Sequence, residues 1–225
     1  MMGAGIFLAA HAAPRIRDWA PFVFIAAGYY ASGLLFIEPS LRFEAWLMAW
    51  DRRLLGDPVT RFARWPAWFL AYLDIVYSSA FLVLPVGWAA LILSGGEHLA
   101  DRYWSTVALA ELGSFAGMAF AQSRPPWALE RPARLADKAV HEAVIGMAQT
   151  FSNRSNTFPS GHVAGLLAIA FAILGPAPVV GLVFLALAVS TAVACVVGRY
   201  HYSADAVAGA VVAIVAWVIV RTLGL

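Results

Sequence analysis

From Val179 to Val197 the chain reads "VVGLVFLALAVSTAVACVV", without one charged residue. As a helix rising about 1.5 Å per residue, such a run approaches the roughly 30 Å hydrocarbon core of a bilayer. No other feature restricts the fold as much. An open strand edge cannot sit in lipid, so the run is expected to be a membrane helix. Comparable apolar stretches cover about Pro21–Phe36, Ala67–Ser94, Trp104–Gln122, Ser160–Leu174 and Ala204–Val220. The expected architecture is therefore all-α: a polytopic membrane protein with six transmembrane helices, folded as one domain over residues 1–225. Composition agrees, with 62% hydrophobic and 12% charged residues and a mean hydropathy of +0.76. A net charge of +2 with scattered basic residues argues against nucleic acid as a partner. Cys195 stands alone, which rules out an intrachain disulfide, and its expected role is that of a small buried hydrophobe. The N-terminal "GIFLAAHAAP" lacks a basic residue before its apolar core and is taken as an interfacial segment rather than a signal peptide.

One or two in-plane amphipathic helices join the spans. In "LRFEAWLMAWDRRLL" the residues Leu41, Phe43, Trp46, Leu47, Trp50 and Leu54 gather near one face, with Arg52 and Arg53 at the end. "RLADKAVHEAVIGMAQ" repeats the pattern in the long loop after the third span. Gly175-Pro176-Ala177-Pro178 closes the fourth and fifth spans into a hairpin. With six spans, three separated segments then meet on one membrane face: "SRPPWALERP", "SNTFPSGH" and "GRYHYSAD". They hold nearly all the unusual polar residues.

Phosphoryl transfer is the chemistry these segments suggest. Ser160 can cap the fourth span, leaving the amides of Ser160, Gly161 and His162 facing outward as an anion site at the helix start. His201 and Asp205 are four apart, which on a helix puts them on one face. The carboxylate can then hold one ring nitrogen protonated while the other attacks as nucleophile. His162 is the expected general acid for the departing alkoxide. Arginines supply planar, permanently charged forks for phosphate oxygens. The histidines lack companions at metal-ligand spacing, so neither a metal nor another cofactor is expected.

At these residues the chain resembles the type-2 phosphatidate phosphatase (PAP2) superfamily, which includes vanadium haloperoxidases and lipid phosphotransferases. The resemblance rests on Arg124-x6-Arg131-Pro132 (arginine standing where the family has lysine), on Pro159-Ser160-Gly161-His162, and on His201-x3-Asp205. It implies a phosphohistidine mechanism with His201 as nucleophile, Asp205 orienting it and His162 as acid. Arg124, Arg131, Ser160 and Gly161 would bind the phosphate. One departure stands out: the third motif's arginine belongs where Cys195 is found, preceded by Ala194. Arg199 is expected to take its place, as "RYHYSADAVAG" looks like the H-Y-x-x-D variant of the inositol-phosphorylceramide-synthase branch. Arg154 in "NRSN" is either a further cation near the site or a solvated loop charge.

Span four, Ser160 to Leu174, would be about 22 Å long at 1.5 Å per residue, shorter than the hydrocarbon core. A recessed end suits a phosphate tethered to a lipid entering sideways. The expected function is an integral membrane lipid phosphatase hydrolysing a lipid phosphate monoester or pyrophosphate. Phosphatidate, phosphatidylglycerol phosphate and polyprenyl phosphate are the types in view. The alternative is a lipid phosphotransferase using the same histidine. A silent member or an anion transporter is disfavoured by the retained His162, His201 and Asp205 and by the absence of an inverted pair of broken helices. Asp74 and Glu111 lie within predicted spans, where ionisable groups are functional candidates; they could share a proton, or Glu111 could anchor a site arginine, or each could bond a nearby Tyr or Ser. The basic-residue count favours a cytoplasmic site, whereas Arg15 and Arg17 beside the first span and the bacterial relatives implied by the resemblance favour an extracytoplasmic one. The latter, on a bacterial inner membrane, is the expectation adopted, with membrane lipids and a lipid phosphate as partners.

Overall fold

The computed structural model describes residues 14–130, 138–151, 156 and 158–224. Among them the regular structure is helical, apart from one isolated bridge between Ser123 and Asn156. In chain order the helices are α1 (Pro14–Gly33), α2 (Leu41–Leu55), α3 (Pro58–Phe62), α4 (Ala67–Leu93), α5 (Ala100–Ala116), α6 (Pro126–Leu129), α7 (Lys138–Phe151), α8 (Gly161–Leu174), α9 (Pro178–Val197) and α10 (Ser203–Thr222).

Each of the six apolar stretches is a helix, but they differ in reach. By length and composition α9 and α10 are able to cross a membrane. A third crossing is α4, provided its halves Ala67–Ala80 and Leu82–Leu93, bent by 75°, are taken as one span. The expectation of six equivalent spans is thus narrowed to two or three. The reasons lie in the chain: α1 opens with Arg15, Arg17 and Asp18, α5 has 17 residues including Asp101, Arg102 and Glu111, and α8 has only 14. The α4 bend has a local cause. Pro85 cannot donate to the carbonyl four residues back, and its ring crowds that carbonyl, at Phe81 where the two halves meet.

At the centre is α8, packed against α4, α5, α9 and α10. Its small residues allow this: Ala164 and Ala168 are fully buried, and a Cβ on Gly165 would collide with the Glu111 carboxyl of α5. Trp88, Tyr103 and Trp104 extend the core, with the Tyr103 hydroxyl donating to Leu84 O at 2.9 Å. Outward, α9 and α10 present Val183, Val189, Val207, Val211 and Val215, an apolar exterior suited to lipid.

The first in-plane helix, α2, is capped by Ser40, whose side chain accepts from Phe43 N, and stops at Gly56 with φ 73°. Its faces divide differently from expectation. Glu44, Leu47 and Asp51 turn inward, while Leu41, Trp46, Trp50 and Leu54 stay exposed. Leu47 therefore leaves the aromatic face and joins two carboxylates, because positions i, i+3 and i+7 share a side. The second expected surface helix is α7, from which His141 and Val144 are buried; residues 134–137 of that segment lie outside the described residues.

Candidate active site

The turn between α9 and α10 places the expected nucleophile. Arg199 has φ 59°, the left-handed conformation that ends a helix, and Arg199 N and Tyr200 N donate to Val196 O and Cys195 O. His201 N also donates to Cys195 O at 2.9 Å, which folds the histidine back over the end of α9.

His201 Nδ1 lies 3.4 Å from Asp205 Oδ2. That oxygen also accepts from Tyr202 N at 3.0 Å and from Asn156 Nδ2 at 2.8 Å. Three donors on one oxygen fix a fully buried carboxylate, leaving His201 Nε2 on the other side of its ring. Asn156, absent from the motif reasoning, is tied in turn to Ser123 through its backbone at 2.9 Å and its side chain at 3.0 Å. It joins the segment holding Arg124 to the one holding Asp205.

His162 sits in the first turn of α8, its ring centroid 5.7 Å from that of His201. It stacks on Tyr77 at 4.7 Å, and Tyr77 stacks on Tyr200 at 3.8 Å. Ser160 caps α8, its Oγ accepting from Val163 N at 3.5 Å, and its backbone N donates to Asp205 O. Gly161 follows, buried, with room for little else: an added Cβ would come 3.1 Å from Glu111 Oε2 and Phe115 Cε1. The expected histidine pair, orienting acid and helix start are therefore neighbours.

The arginines are arranged otherwise. Arg199 is 1% exposed, and all three of its guanidinium nitrogens face carboxylates: Nε and Nη2 donate to Glu130 at 3.0 and 2.8 Å, and Nη1 donates to Asp51 at 2.8 Å. Arg199, expected to take the place of the missing phosphate-binding arginine, here holds the turn against α2 and the end of α6. Asp51 also accepts from Ser203 N at 2.8 Å and Ser203 Oγ at 2.6 Å, holding the first turn of α10. Arg124 makes a fork on Glu44, Nε to Oε1 at 3.0 Å and Nη2 to Oε2 at 2.8 Å, with its side chain 41% exposed. The Arg124 hydrogen bond holds the Glu44 carboxyl below its ordinary range. Arg131 and Arg154 lie outside the described residues. Cys195 is fully buried against Val163 and Ala206.

Asp74 and Glu111 part company. Asp74 accepts from the Tyr200 hydroxyl at 2.7 Å and lies 3.3 Å from His141 Nδ1. Burial first, and Asp74 second, push the Tyr200 phenol above its ordinary range. Glu111 anchors no arginine among the described residues and instead lines an apolar cavity together with His162.

The structure is thus a helical bundle with two or three helices able to cross a membrane, and it holds a histidine–carboxylate pair beside a second histidine at a helix start. The sequence profile of the PAP2 superfamily matches residues 45–219, from within α2 to near the end of α10, and the chain belongs to that superfamily. Membership suggests phosphatase-type activity. No curated protein and no solved structure matches the chain.

Proposed function

We propose that this protein is an integral membrane lipid phosphatase, with all six apolar helices in the bilayer and an extracytoplasmic site, that transfers phosphate through His201. Nε2 of His201 attacks phosphorus, and the bond to the lipid oxygen breaks. His162 protonates the departing alkoxide. Water then attacks the phosphohistidine while His162 takes its proton, releasing inorganic phosphate and restoring the imidazole. The observation that carries this reading is Asp205 Oδ2 at 3.4 Å from His201 Nδ1, with the two histidine rings 5.7 Å apart. The carboxylate keeps Nε2 unprotonated for attack and stabilises the imidazole as it gains charge. The Ser160 amide is taken up by Asp205 O, so the amides that follow it at the start of α8, those of Gly161 and His162, are the ones that would favour a phosphate there. Arg124, oriented by Glu44 and half-exposed, is the described cation best suited to join them, with Arg131 as its partner from the first motif.

The test is phosphate release from a panel of lipid phosphates by detergent-purified protein. Release is expected to fall to background in His201→Ala, and trapped ³²P should be acid-labile, as a phosphoramidate is. Equal release from the variant sinks the reading. Loss of donor phosphate only when an alcohol acceptor is supplied would replace it with phosphotransfer.

A further inference from the structure

Beside His162 lies a cavity of about 510 Å³, inside the roughly 300–1,000 Å³ range of small-molecule pockets. Phe22, Ile25 and Tyr29 of α1 form one wall, and α4 contributes residues from both sides of its bend, Ala80 and Leu84 among them. The Pro85 kink thus shapes the space, and α1 precedes the residues matched to the superfamily. The lining is apolar except for a few groups, of which His162 and Glu111 bring ionisable chemistry to the α8 end.

Glu111 is 5% exposed, and its carboxyl has no hydrogen-bond or ion-pair partner among the described residues. It lies across the first turn of α8, where Gly161 and Gly165 leave it room; a Cβ on Gly165 would overlap Oε1. A buried polar group without a partner is costly, and inside a membrane helix it points to a ligand. The glycine pair is thereby explained by the carboxyl it accommodates.

We infer that this cavity takes the hydrocarbon chain of the substrate, and that Glu111 accepts a hydrogen bond from a hydroxyl or amine carried next to the phosphate-bearing end. The inference rests on the phosphatase reading and narrows its substrate class. With Glu111 and His162 at one end, a chain in the cavity leaves its phosphate toward the histidines and its donor against Glu111. Lipid phosphates with a free donor beside the ester are preferred over prenyl or fully esterified ones, since a site built to receive a hydrogen bond rejects ligands that lack it.

The experiment compares 1-oleoylglycerol 3-phosphate, which has a free hydroxyl, with oleyl phosphate, which has none. Binding is measured calorimetrically on His201→Ala protein in detergent, so that no turnover intervenes. The hydroxyl-bearing lipid is expected to bind at least tenfold more tightly. Adding Glu111→Leu should erase that ratio without weakening oleyl phosphate, while Glu111→Gln, which keeps an acceptor oxygen, should retain most of it. Ile25→Trp, filling the cavity, should weaken both lipids about tenfold. Equal binding of the two lipids, a ratio that survives Glu111→Leu, or no binding of either overturns the inference. The expected binding pattern without phosphate release from the unsubstituted protein overturns the phosphatase reading and leaves the cavity assignment standing.

Discussion

At His201 the decisive neighbour is one that motif spacing did not reveal. Asn156 donates to Asp205 at 2.8 Å and binds Ser123 with its remaining amide proton. Hydrogen bonds to charged groups contribute about 1.5–3 kcal/mol. Asn156→Ala is therefore expected to lower kcat about 10- to 100-fold with the fold retained; kcat within twofold of the parent would show that Asp205 needs no such support. Ser160 was legible as a helix cap and His201-x3-Asp205 as a motif, but His201 and Asp205 do not share a helix face: His201 stands in the turn before α10, and Asp205 meets it from the first turn of that helix. Asn156 was not legible, since a lone polar residue in a loop has no period to betray its partner. Glu44 supplies a pH dependence with a definite sign. Its folded pKa is depressed, first by the Arg124 hydrogen bond, so its contribution is present above the ordinary carboxylate pKa and is lost as pH falls through the folded value. Acid titration below about pH 4 should release α2 from Arg124, and Glu44→Gln should flatten that transition. An unchanged acid limb in the variant would rule the pair out as its source.

Among the elements, α2 shows how an amphipathic pattern can be read correctly as a helix and wrongly as a face. Trp46 and Trp50 do point outward, but Glu44 and Asp51 are buried because Arg124 and Arg199 await them from distant segments. Arg199 sits where a glycine is the usual choice. Replacing it with glycine relieves a left-handed backbone cost of about 1–2 kcal/mol but removes the cation from Glu130 and Asp51, leaving Asp51 only its Ser203 donors, a loss of about 3–5 kcal/mol when a buried pair is broken. Arg199→Gly is thus expected to be net destabilising by about 1–4 kcal/mol in detergent unfolding. A higher midpoint would mean that the turn geometry, not the ion pair, governs this corner. The α4 bend was not anticipated when Ala67–Ser94 was taken as one span; Pro85 explains it locally, but its consequence, a cavity against α1, requires knowing which helix lies opposite.

For the whole molecule, the apolar exterior and the central α8 predict that the interior opens only on global unfolding. Cys195, 0% exposed, is a built-in reporter: a maleimide should leave the folded protein in detergent unlabelled and react fully after denaturation. Rapid labelling of the folded protein would show that the bundle opens locally beside Ser160. Sequence alone determined the helical class, the positions of the six apolar segments, the hairpin at Gly175–Pro178 and the kinship carried by the three motifs, because hydrophobic runs, proline and one-turn spacings act over a few residues. Tertiary structure decided what depended on pairing across the chain. It paired Arg199 with Asp51 and Glu130, set Asn156 on Asp205, and left Glu111 facing a cavity. The first two rest on charges and hydrogen bonds between segments far apart in the chain, the third on which helices face α5, and no local pattern encodes either.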